Sequence, residues 1–534
     1  MGFGSRSKLA LCALLLFGCN GVIEEGGNLE PAEVSGAAPP RLDRDADAGV
    51  ESDPDPGPEP MPDAGTIPDA SVPPPRCDSM TAPPLSARAL RITDVTVNQA
   101  VSVPLVDNSA PVNARHAPVI AGREGVLRVF VEPQPAWQAR DVTARLRLSG
   151  TVTDARVRVT DASTATILDS TINFALAPGE LDESTDFAVE LLEVDPCGNY
   201  AGDVDNARYP ASDDAGSLDV EAAPGQFRIV IVPVRYLADG SNRTPTADAE
   251  TVARFTERMY GMFPLTDLDV SVREAPLDLE NAIEPDGQGW SELLNECLAL
   301  RANDGAASNT YYYCAVRPSD SPVDFCARGC VAGLGPVPSA ADTFNRAAIG
   351  LLYENGVDTF VHEIGHTLGL LHAPCGGVSG ADPDFPYSSG GIGVPGFDTA
   401  GQRLFDTQHR DIMGYCGPVW ISDYNYALLY DRLVTVTASS ALSLKSETSL
   451  VVLRPVIIDV DGTLSIGETI RIDSAPLGET LTVEWLGESG QRAELSATLV
   501  RVSHLPGGIL YVPELVDPPV TIRVPGHGTA SYQR

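Results

Sequence analysis

His362-Glu363-Ile364-Gly365-His366-Thr367-Leu368-Gly369-Leu370-Leu371-His372 holds three of the chain's seven histidines in one short run. Gly356-Val357-Asp358-Thr359 just before it is a helix-start signal, with Asp358 or Thr359 able to cap. Within a helix His362 and His366 are four apart and share one face. Two imidazoles so placed can hold one Zn2+ at about 2.0–2.1 Å. Glu363 is rotated about 100° from His362, so it can address a water rather than the ion. Gly369 can adopt a left-handed conformation, end the helix and turn His372 back as a third ligand. Three neutral ligands leave a fourth position for water, the catalytic rather than the structural arrangement.

The surrounding sequence alternates strand and helix patterns. Residues 227–234, FRIVIVPV, form a continuous apolar strand, and 246–262 has helical spacing with Thr246 as the expected cap. A second helix is expected around 290–301, with short strands at 311–316 and 347–353. Another helix is expected from Trp420-Ile421-Ser422-Asp423, capped by Ser422 or Asp423. This is an α/β pattern over 226–444. Residues 87–225 instead carry short alternating strands punctuated by turns, the signature of an all-β sandwich. Strand patterning returns at 449–458, 469–472 and 481–485, giving a C-terminal β-domain over 445–534. The expected fold class is therefore multidomain, an α/β (α+β) domain flanked by all-β sandwich-like domains.

The N-terminus reads as an address. Arg6 and Lys8 precede an apolar run, a secretory signal peptide over 1–18. Leu16-Phe17-Gly18-Cys19 resembles the bacterial lipobox, which implies lipidation of Cys19 and attachment to the cell envelope. Residues 20–76 hold 13 acidic residues, 3 basic residues and 12 prolines. Such sequence cannot bury apolar surface, so 19–86 is expected to be an extended acidic tether.

Composition sets the limits. The 534 residues exceed one ordinary domain. A formal charge of -37 opposes nucleic-acid binding and docking of a polybasic patch on anionic lipid. Membrane contact is thus expected only through the lipid anchor. Apart from Cys12 and Cys19, eight cysteines remain, an even number that suits disulfides in an oxidising compartment. Eight allow 105 pairings, so the sequence leaves connectivity open.

The His362–His372 segment resembles the metzincin zinc proteases, matching HExxHxxGxxH at each fixed position. The resemblance spans roughly 226–434. It implies one catalytic Zn2+ on His362, His366 and His372, with Glu363 as general base. It also implies a methionine beneath the metal, and Asp411-Ile412-Met413-Gly414-Tyr415-Cys416 places Met413 there. Astacins and serralysins carry a tyrosine where Tyr415 stands, which implies a zinc-ligating or oxyanion role. Cys375 and Cys416 follow His372 and Met413 by three residues each, so convergence of those two at one zinc implies a disulfide between them. The strand over 347–353 stands where metzincins have the cleft edge that pairs with extended substrate. Ala373-Pro374 departs from many metzincins and leaves the subfamily open. Asp382, Asp384 and Asp398 are calcium candidates by residue type, although their spacing follows no calcium-loop pattern.

The implied activity is a monomeric zinc endopeptidase acting on extracellular proteins or glycoproteins. The alternative is a surface adhesin or glycan-binding lipoprotein with an inert zinc domain. An intact Glu363 weighs against it, since a structural site needs no such carboxylate.

Overall fold

The computed structural model describes residues 83–532 apart from 213, 355, 442–449 and 517. The signal peptide, Cys19, Cys77 and most of the acidic tether lie outside the described residues. Strands dominate, and they fall into several separate sheets.

The central sheet is built on Phe227–Tyr236, which pairs in parallel with Leu268–Val272 on one side and Thr310–Val316 on the other. Thr310–Val316 pairs in parallel with Ala347–Leu351. The outermost strand is Gly333–Leu334, antiparallel to Ala347–Leu351. The 347–353 segment is therefore an inner strand, and the free edge belongs to Gly333–Leu334. That short stretch lies among glycines and prolines, so strand propensity gave no signal for it.

Alternation along Phe227–Tyr236 sends its side chains to opposite faces. Ile229 and Ile231 join one core with Phe255, Met259, Phe360 and Ile364. Val232 and Val234 join another with Trp290, Leu293 and Leu294. Helices Ala249–Met262 and Val357–Thr367 thus cover one face, and helix Trp290–Asn303 covers the other. Phe255 stacks on Phe360 at 4.4 Å between centroids, and Tyr313 meets Phe360 edge-on at 5.0 Å. The Ala249–Met262 helix is capped by Asp248, which accepts from Thr251 N, rather than by Thr246. Its carboxylate is the better-placed acceptor, three residues before the amide it satisfies.

The N-terminal region forms two antiparallel sheets, one ordered around Arg140–Leu148 and Asp186–Glu193 and the other around Leu90–Asn98 and Gly125–Pro133, with a short parallel pair of Val119–Ile120 and Val220–Glu221 beside them. It is fixed to the central region by Trp420 Nε1 donating to Ala100 O at 2.8 Å and Arg123 donating to Leu265 O at 2.6 Å. The C-terminal region is one eight-stranded sheet. Its residues Leu453, Ile470, Val502 and Tyr511 share the core around the Trp290–Asn303 helix.

Disulfides join Cys297 to Cys314, Cys326 to Cys330 and Cys375 to Cys416. They point to an extracellular or periplasmic location. Among the described residues no helix is long and apolar enough to cross a membrane.

Candidate metal centre

The Val357–Thr367 helix presents His362, Glu363 and His366, all buried. Its N-cap is Gly356 with no side-chain cap bond. Asp358 instead pairs with Arg258 at 2.7 Å, tying this helix to Ala249–Met262. The helix ends in a Schellman turn. Gly369 N donates to His366 O at 2.8 Å and Leu370 N to Gly365 O at 3.1 Å, with Gly369 at φ +93°. The reversed chain delivers His372 to the same point.

Each imidazole is oriented by a backbone carbonyl. His362 Nδ1 donates to Ile412 O at 2.7 Å, His366 Nδ1 to Leu370 O at 2.8 Å and His372 Nδ1 to Ser379 O at 2.7 Å. A carbonyl only accepts, so each Nδ1 carries the proton and each Nε2 presents a lone pair. His366 Nε2 lies 3.0 Å from His362 Nε2 and 3.1 Å from His372 Nε2. Lone pairs at this distance repel unless a cation stands among them. Nitrogens around a tetrahedral zinc at about 2.0–2.1 Å are separated by about 3.3–3.4 Å, close to this spacing. Burial, the largest cause, pulls His362 and His372 down to about 3, and His366 well below its ordinary value. All three are neutral, the form that binds metal. The donor set fits a metal ion.

Met413 is buried beneath the helix, where a Cβ on Gly365 would fall 2.6 Å from its sulfur. The turn that carries it is organised by the buried Asp411. Its carboxylate accepts from Met413 N, Ser422 N and Asn425 Nδ2, each at 2.8 Å. Burial, the first cause, raises the Asp411 pKa, and these bonds oppose the rise. Met413 O accepts from Ala373 N at 3.0 Å, and Tyr415 N donates to Cys375 O at 3.0 Å. The turn is thus laced to the segment after His372, and Cys375–Cys416 closes it with Cα atoms 5.7 Å apart. Tyr415 Oη lies 3.4 Å from His372 Nε2.

Glu363 is 2% exposed, and its Oε2 has no partner. Burial pushes its carboxyl up to about 8. A cation held by the imidazoles would favour the ionised form. Its other oxygen, Oε1, lies 2.9 Å from His504 Nε2. Tyr415 Oη hydrogen-bonds His504 Nδ1. Burial draws His504 down to about 3, so this is a neutral imidazole rather than an ion-pair partner. With Glu363 ionised, Nε2–H donates to Oε1 and Nδ1 accepts the Tyr415 hydroxyl.

Among the described residues four histidines, His362, His366, His372 and His504, lie close enough to share one metal ion, and the first three present their Nε2 lone pairs to it while both His504 nitrogens are engaged by Glu363 and Tyr415. The sequence reading did not anticipate His504, which comes from the C-terminal sheet, 141 residues beyond Glu363. A lone histidine in a strand–turn–strand stretch carries no local signal of this. Of the three calcium candidates, the carboxylates of Asp382 and Asp398 are taken up by hydrogen bonds, and Asp384 contributes its backbone N–H to one of them. Asp382 accepts from Asp384 N at 2.9 Å and Tyr424 Oη at 3.0 Å, and Asp398 accepts from Ala400 N at 3.1 Å. Beside His366 and His372 lies a cavity of about 390 Å3, lined by Val337, Pro338 and Leu371 and by Gly478 and Arg501 of the C-terminal sheet.

No protein-family model matches the chain, and no curated protein matches it. Among solved structures, metalloproteinase-II from Bacteroides fragilis aligns weakly, at 13% identity and a TM-score of 0.24, over 62% of this chain and 87% of that one. A chain from a chaperone–substrate complex aligns at 12% identity and a TM-score of 0.22 over 51% of this chain, which spans 39% of that chain's length. Likenesses this slight carry no argument about the chemistry, which rests on the geometry of the site.

Proposed function

We propose that the protein is a metzincin-like zinc endopeptidase that hydrolyses peptide bonds of extracellular proteins or glycoproteins. The observation that carries this reading is the convergence of three Nε2 lone pairs beside a buried carboxylate with one unpartnered oxygen. A structural site needs its ligands alone. Here a base stands next to them without ligating.

When bound, zinc supplies a Lewis acid that polarises the scissile carbonyl and lowers the pKa of water toward about 7. His362, His366 and His372 hold it. Glu363 accepts the water proton at Oε2 and delivers it to the leaving amine. Tyr415 Oη, beside His372, donates to the developing oxyanion. Met413 and the Cys375–Cys416 bridge keep the floor and the third ligand in register. Glu363 lies over the face of Gly333, and the unpaired edge of Gly333–Leu334 offers an extended peptide a backbone to pair with.

We further propose that the protein is exported, anchored at the bacterial envelope through Cys19, and acts as a monomer. Zinc content and casein hydrolysis, measured with and without a chelator, test the enzymatic reading. Hydrolysis that persists in metal-free protein would overturn it.

A further inference from the structure

Residues 502–507 join Arg492–Arg501 to Gly508–Pro513 in the C-terminal sheet and reach into the cleft. Ser503 N donates to Gly335 O at 2.9 Å, and Gly335 N donates to Ser503 Oγ at 3.2 Å. Val502 forms an antiparallel bridge with Pro336. This stretch therefore extends the outermost strand along its free edge, the track that an extended peptide would need. The next residue, His504, is 11% exposed and engages Glu363 and Tyr415 at once. On one side Leu505 packs into a slot at Gly287, where a Cβ would fall 2.5 Å from its Cδ2. On the other, Val502 is buried in the core around the Trp290–Asn303 helix.

We propose that this connection is an internal occupant of the substrate cleft, which keeps the peptidase latent until an extended peptide displaces it. The inference rests on the zinc-peptidase reading and adds the regulation of that site. Two obstructions act together. Main-chain pairing at Gly335 and Pro336 takes the backbone track. The His504 ring takes the oxyanion donor and one oxygen of the base, so a carbonyl entering the site must first part it from both. Only Ser503 and His504, between the anchors at Val502 and Leu505, have to move, because the sheet behind them is held by its own core and by Val502. An open state populated at about 1–10% would weaken the apparent affinity for any cleft ligand about 10–100-fold.

The test uses zinc-replete full-length protein and a fluorescent peptide hydroxamate, with affinity read by polarisation. His504→Ala removes the ring. Ser503→Pro removes the N–H to Gly335 and leaves the ring. Both variants are expected to bind the probe about 10–100-fold more tightly than wild type. In wild type, the probe should accelerate amide exchange across 499–508. Unchanged or weaker binding in either folded variant, or exchange in wild type that the probe leaves unchanged, would overturn the proposal. Zinc analysis of the same samples separates the two readings. Protein without zinc contradicts the peptidase, whereas zinc-replete protein whose variants bind no better contradicts the latency alone.

Discussion

The carboxylate of Glu363 occupies the space that a side chain at residue 333 would fill. A Cβ built on Gly333 falls 2.5 Å from Glu363 Cγ and 2.6 Å from its Oε1. The outermost strand and the proposed base are thus fitted against each other, and glycine is what permits the approach. In Gly333→Ala the glutamate must swing away. Misplacement on the order of 1 Å can cost about 10²-fold in rate, so a loss of that size is expected with zinc content unchanged. Steady-state peptide cleavage checks it, and wild-type turnover would show that the contact does not position the base.

Removing the Cys375–Cys416 bridge should cost about 4 kcal/mol in the chain-entropy model, given a sequence separation of 41. The double Cys→Ser variant should therefore unfold at lower urea. It should also hold zinc less tightly, since the bridge joins the segment after His372 to the turn bearing Met413. Equal urea midpoints and equal zinc affinity would contradict this.

Glu296 gives a pH dependence independent of the metal centre. Burial first, then the charges of Glu292 and Glu280, raise its carboxyl from 4.5 to about 7. A raised acid pKa means that the folded state binds more protons than the unfolded state within this window. Stability is therefore fully present below about pH 4.5 and declines as pH rises through about 7. Allowing for partial exposure, Glu296→Gln should stabilise the protein by about 1–2 kcal/mol at pH about 8 and leave it unchanged near pH about 4. Urea midpoints at the two pH values decide it, and an equal gain at both would refute the assignment.

His366 lies at the centre of the imidazole cluster, 3.0 Å and 3.1 Å from its two neighbours. His366→Ala should drop zinc from about one per chain to near zero in dialysed protein. Full retention of zinc would remove the ion from this place.

The local parts of the site were the legible ones. His362 and His366 are separated by one helical turn, and Gly369 marks the reversal that returns His372, so each relation lies within a few residues. Met413, Tyr415 and the cysteine bridge were reachable only through resemblance, because no local rule links residue 372 to residue 413. His504 was out of reach, since its contacts depend on how the C-terminal sheet docks on the Trp290–Asn303 helix. The outermost strand was misplaced too. The edge role of 347–353 came from the resemblance, whereas its continuous apolar run fits the inner strand it is, and the strand outside it is a Gly-Leu pair held by backbone pairing. The capping error at Thr246 is smaller, since two neighbouring acceptors competed and the carboxylate of Asp248 was better placed.

The central claim is that Glu363 takes a proton from water beside a metal held by three histidines. Its most direct test is peptide cleavage by zinc-replete Glu363→Gln, followed by mass spectrometry beside wild type. The amide keeps the shape but cannot accept the proton, so cleavage should fall by about 10²–10⁴-fold while zinc content and unfolding midpoint stay as in wild type. Cleavage at the wild-type rate in zinc-replete Glu363→Gln would contradict the account.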